Sequence, residues 1–145
     1  MSTLGKVFSC SCSHRDLKPD NMLLTMVEGE LVLKICDFGT ARQFEPNSLA
    51  ETVCGTPIWM APELLARKPY NRKVDVWSLG CILFYLLTKN TPFTGRNWMD
   101  LLRNIETKVW IIPRDVRISP SCRNLLAGML QRNPEVRRVR SWEND

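Results

Sequence analysis

His14-Arg15-Asp16-Leu17-Lys18-Pro19-Asp20-Asn21, HRDLKPDN, is followed by two short β-favouring runs, NMLLT (21–25) and LVLKICDF (31–38). The residues between them, MVEGE (26–30), include Gly29, which suits a tight turn, so residues 21 to 38 read as a small β-hairpin. That reading brings Asn21, at the entrance to the hairpin, beside the Asp37-Phe38-Gly39 triplet at its exit. Two oxygen-bearing side chains far apart in sequence thereby meet next to Asp16 and Lys18. Beyond Asp37 the text is polar and broken by Gly39, Pro46, Gly55 and Pro57, a long loop that ends at Ala61-Pro62-Glu63. A loop of this length inside a compact domain generally carries function.

After Pro62 the pattern turns helical. PELLA (62–66) is a short helix with proline in its first turn, and RKVDVWSLGCILFYLLT (72–88) is apolar on nearly every face, as befits a helix at the centre of a domain. NWMDLLRNIE (97–106) is amphipathic, and SPSCRNLLAGMLQR (119–132) opens on Ser119 as N-cap with Pro120 at the first helical position. The expected class is α+β, mainly α, with one hairpin carrying the polar loops.

Composition narrows the alternatives. The 145 residues are 44% hydrophobic and 24% charged, which fits a single globular core. The net charge of +5 comes from dispersed residues apart from Arg132, Arg137, Arg138 and Arg140, so it does not draw a nucleic-acid footprint. Six cysteines without a Cys-x-x-Cys pair, and a single histidine, His14, argue against a zinc site or a disulfide framework. The opening MSTLGKVFSCSCS lacks a signal-peptide apolar run, and the stretch around VWSLGCILFYLL falls short of the roughly 20 residues needed to span a bilayer. These features lead us to expect a cytoplasmic chain without a membrane span.

The order HRDLKPDN, CDFG, GTPIWMAPE, DVWSLG resembles the C-terminal lobe of a eukaryotic protein kinase. The resemblance implies ATP-dependent phosphoryl transfer, with ATP and Mg2+ as cofactors and protein Ser/Thr hydroxyls as substrates. Such a reaction needs an acceptor for the hydroxyl proton, metal ions to spread the triphosphate charge, and a cation near the moving group. In that scheme Asp16 is the base, Lys18 neutralises the phosphate, and Asn21 and Asp37 supply the hard oxygens that magnesium prefers. Lys18 together with Thr56 is similar to serine/threonine rather than tyrosine kinases. His14, Phe38 and Gly39 support the loops; Asp75 resembles the aspartate that holds the catalytic-loop backbone; Glu63 and Arg137 resemble the family's buried ion pair. Arg15 would receive a phosphate from the activation loop, with Thr52 as first acceptor and Ser48 as second. Ile58 and Trp59 would shape the surface that meets the residue after the phosphoacceptor. Cys36 is read as packing.

LAETVCGTPIWMAPE, ILFYLLTKNTPFTGRNWMDLLRNIE and LLAGMLQRNPEVR are similar to the Unc-51-like kinases, which implies a role in autophagy. No G-x-G-x-x-G occurs, and neither Lys6 nor Lys34 stands in a V-A-I-K-like run. The resulting expectation is an irregular lead-in (1–13), a partial kinase domain lacking its N-lobe (14–140) and a short tail (141–145). Weak or absent activity in this chain by itself follows, and a face of the 74–87 helix is expected to be exposed. The alternative is a non-catalytic interaction module that binds kinase partners or substrates through residues 39 to 63 and the helices after them.

Overall fold

The computed structural model describes residues 12–43 and 56–138. Two small antiparallel pairs precede a helical body. The first pairs β1 (Cys12–Ser13) with β4 (Arg42–Gln43); the second is the hairpin β2 (Met22–Val27) and β3 (Glu30–Ile35), registered from Met22 opposite Ile35 to Val27 opposite Glu30. Its two-residue turn places both Glu28 (φ 51°) and Gly29 (φ 82°) in left-handed conformation, the geometry whose twist matches that of the flanking strands.

Among the described residues four α-helices follow: α1 (Pro62–Leu65), α2 (Lys73–Thr88), α3 (Trp98–Thr107) and α4 (Pro120–Met129). The hairpin and the four helices fall where the sequence patterns put them. α2 is the axis of the molecule. Val74, Trp77, Cys81 and Phe84 join a core with Met60, Ala61, Leu64, Leu65, Phe93, Leu101, Ile105, Leu126 and Leu130, while Ile82 closes a second, smaller core with Leu17 and Ile35. A helix buried on several sides has no polar stripe to show, which is why its sequence is apolar on nearly every face.

Gly80 lets α4 approach closely: a Cβ there would stand 2.9 Å from the Met129 Cβ. α3 begins at Asn97, whose side chain accepts from the Asp100 amide at 2.9 Å. α4 begins at Ser119, whose hydroxyl accepts from the Cys122 amide at 3.1 Å. Ser119→Ala strands that amide and is expected to lower stability by about 1 kcal/mol, read as a shift of the urea midpoint.

The apolar exposure does not lie where the sequence put it. On α2 only Leu86 is exposed, with Leu79 and Leu83 half-buried, whereas Leu23, Leu24, Met26 and Leu31 of the hairpin are all more than half exposed. The loop side of α2 is covered by Leu17, Ile35 and Trp59, which the local pattern of α2 could not reveal.

Candidate active site

The loop that carries Asp16 is fixed from below by α2. Asp75, in its first turn, is almost fully buried and accepts two amides of that loop, His14 N–H at Oδ2 (2.8 Å) and Arg15 N–H at Oδ1 (2.9 Å). Burial raises the Asp75 carboxyl above its ordinary value, and the donated amides of Arg15 and His14 work against that rise. Arg15 takes a left-handed backbone, φ 67°, a conformation rare for a side-chain-bearing residue. His14 is also buried, its Nε2 3.0 Å from the Cys36 carbonyl and its ring edge-on to Phe38 at 5.0 Å. Leu17, 2% exposed, pins the other side of the loop into the second core.

Between these anchors stands Asp16. Its carboxylate meets Lys18 Nζ at 3.1 Å and accepts the Thr56 amide at 3.3 Å, so Thr56 reaches it through the backbone. Both charged side chains keep some solvent contact, 24% for Lys18 and 11% for Asp16. The turn Pro19–Asn21 then directs the chain into β2, and Asn21 Nδ2 donates to the Asp16 carbonyl at 2.9 Å. That bond uses the amide nitrogen and leaves Oδ1 as an acceptor.

Across the mouth of the hairpin the Cys36 amide donates to the Asn21 carbonyl at 2.9 Å, one residue before Asp37. Asp37 is exposed and left-handed (φ 61°), and its Oδ1 accepts from Gly39 at 3.3 Å. The hairpin therefore begins just after Asp16, Lys18 and Asn21 and ends just before Asp37. Among the described residues no cluster of three or more His, Cys, Asp and Glu side chains is built to hold a metal ion. Magnesium does not need such a cluster, since it keeps waters and takes phosphate oxygens from its substrate.

Glu63 and Arg137 meet far from that mouth. Their paired contacts, 2.5 Å (Nη1 to Oε1) and 2.9 Å (Nη2 to Oε2), are buried, and the guanidinium lies 5.2 Å from the Trp77 ring centroid. Ser48 and Thr52 lie outside the described residues.

Tyr70, Ser78 and Arg132 complete the frame. Arg15 Nη1 donates to the Tyr70 hydroxyl at 3.2 Å. The Ser78 hydroxyl donates to the Trp59 carbonyl at 2.9 Å, tying the strip after Thr56 to α2. Arg132 donates from Nε to the Ile105 carbonyl at 2.5 Å and also bonds the Lys108 carbonyl, so it caps the end of α3. With Arg137 buried as well, two members of the late basic cluster serve the fold. A serine inside an apolar helix was a usable signal for Ser78; Tyr70 and Arg132 offer none, because their partners lie at other elements. Beside the Thr56 strip, Pro57, Leu65, Arg67 and Trp98 line a cleft of about 230 Å3.

A catalytic-type loop, a hairpin and a buried helix in this order define the class. Residues 1–141 match the protein kinase domain, and the chain belongs to the protein kinase family. It is 48% identical to serine/threonine-protein kinase ATG1b of Arabidopsis thaliana over 126 residues, 86% of this chain and 18% of that protein. It is 43% identical to serine/threonine-protein kinase atg1 of Dictyostelium discoideum over 131 residues, 90% of this chain and 19% of that protein. CBL-interacting serine/threonine-protein kinase 14 of Arabidopsis thaliana is 43% identical over 141 residues, 94% of this chain and 31% of that protein. The chain thus spans about a fifth of the length of the ATG1 relatives it matches.

Proposed function

We propose that residues 14–140 are the catalytic-loop half of a serine/threonine protein kinase domain, which moves the γ-phosphoryl group of ATP to a protein Ser or Thr hydroxyl. The observation that carries this reading is the hydrogen-bonded mouth of the hairpin, where Asn21 bonds the Asp16 carbonyl and Cys36 bonds the Asn21 carbonyl. Asp16 accepts the proton of the attacking hydroxyl, and Lys18, 3.1 Å from it, lends positive charge to the transferred group. Asn21 Oδ1 and the Asp37 carboxylate would hold magnesium, whose charge offsets that of the phosphates when it is bound. Arg15 receives a phosphate carried by Thr52 or Ser48. The likeness to ATG1 kinases supports a cytoplasmic role in autophagy. Among the described residues no helix is long and apolar enough to cross a membrane.

Mn2+ followed by NMR tests the metal end of the site. Signals of Asn21 and Asp37 are expected to broaden first and to be spared in Asp37→Asn; broadening spread evenly over the acidic surface would overturn the reading. Phosphotransfer by these 145 residues without further chain is expected at or near background, because they contain no glycine-rich phosphate loop and no lysine in a V-A-I-K-like run. Robust Mg2+-dependent transfer that disappears in Asp16→Asn would overturn that second expectation and leave the first standing.

The exposed Trp98 and Met99 of α3, beside the cleft with Pro57 and Leu65, favour a second reading, a non-catalytic module that holds kinase partners or substrates on this face. ATP-independent capture of such a partner, lost on Trp98→Ala, is its expected signature.

A further inference from the structure

Arg15 occupies an unfavourable backbone well, and bonds from both its backbone and its side chain help to hold it there. Its amide is taken by Asp75 at 2.9 Å, and its guanidinium reaches the Tyr70 hydroxyl at 3.2 Å. A left-handed conformation persists at a side-chain-bearing residue only where the surroundings over-determine it. Asp75 supplies one of those constraints through the backbone. Tyr70 supplies another through the side chain, from the segment between α1 and α2, 55 residues away. The tyrosine is itself half-buried, its ring packed against the main core, so the hydroxyl is presented from a fixed base.

We propose that Tyr70 is a positioning residue for the catalytic loop: its hydroxyl holds the Arg15 side chain so that the left-handed turn at Arg15 keeps Asp16 aimed at the mouth of the hairpin. The functional meaning rests on the reading of Asp16 as the base, while the positioning itself does not. Without the Tyr70 acceptor, Arg15 has less reason to stay left-handed, and its return to the common region would swing the next residue, Asp16, away from Lys18 and the Thr56 amide. The amides that Asp75 accepts would open more often as the turn relaxes.

Hydrogen exchange on the full chain reads this directly, without any need for activity. In Tyr70→Phe, which keeps the ring and its packing, protection of the His14 and Arg15 amides is expected to fall about fivefold to tenfold, the effect of losing one side-chain hydrogen bond. Protection of the Cys81 and Phe84 amides in the middle of α2 is expected to stay as it was. Unchanged protection at residues 14 and 15 would overturn the proposal, and so would an equal loss at Cys81 and Phe84, which would reduce Tyr70 to core packing. Should Tyr70→Phe not fold, Arg15→Met removes the donor while leaving Tyr70 in place. It must show the same local loss, and its absence is equally fatal. Failure of the Mn2+ experiment with a positive exchange result would sink the kinase-site reading and leave the strut standing.

Discussion

Arg137→Ala is expected to lose about 3–5 kcal/mol of stability, the usual cost of removing one partner of a buried ion pair. Whole domains are stable by only about 5–15 kcal/mol, so the variant should lose its cooperative unfolding transition or show it at a greatly lowered temperature. The size of the effect follows from how fully the guanidinium is used. Its side chain is 0% exposed, it takes both oxygens of Glu63, and it also donates to the carbonyls of Gln131, Lys73 and Arg132. Truncation leaves the Glu63 carboxylate, itself only 5% exposed, without the Arg137 countercharge and takes one donor from each of those carbonyls. It also removes the cation over the Trp77 ring, so the damage reaches the centre of α2. Replacing both partners together, as in Glu63→Leu with Arg137→Met, should cost far less, since no buried charge is then left unpaired. Urea unfolding followed by circular dichroism separates the cases. A loss of under about 1 kcal/mol in Arg137→Ala would mean that the pair contributes little beyond its own desolvation.

The legible parts of this molecule are those with a local signature. The hairpin could be read because a turn-forming Gly29 separates two β-favouring runs, and the helices because Ser119 and the prolines punctuate them or, at 97–106, because the pattern is amphipathic. The buried axis could be read because eleven apolar residues among sixteen, on nearly every face, have no other place in a chain of this size. What stayed hidden is side-chain bonding between elements distant in sequence. Tyr70 precedes α2 as an ordinary loop residue, and nothing around it marks an acceptor for Arg15. Arg132 reads as one of several late basic residues, yet its guanidinium closes the end of another helix. The two-residue pairing of β1 with β4 is likewise too short to have a pattern of its own. The exposed apolar residues of the hairpin escaped for a related reason: a β-favouring run marks a strand but says nothing of what covers each face.

Asp75→Asn should be the most informative single-atom change at the site, because it keeps shape and removes an acceptor. In the native protein each carboxylate oxygen takes one amide, that of His14 or that of Arg15. An asparagine offers one oxygen and one N–H2, so one of the two amides must face a donor. Loss of a hydrogen bond to a charged acceptor, with a buried amide left unmatched, is expected to cost about 3 kcal/mol. Acidity adds a second signature. Burial raises the folded carboxyl above 3.8, so the folded state holds this proton more tightly than the unfolded chain does. Such a group adds stability that is complete below 3.8 and fades as pH rises through the folded value. Wild type therefore gains relative to Asp75→Asn on acidification from neutrality toward pH 3.8, and the gap between them should widen. A gap that narrows over that range would mean that the two donated amides outweigh burial and hold the carboxylate charged. Asp75 would then owe its place to those amides alone, and the rigidity of Arg15 and Asp16 would rest on the charge of the carboxylate.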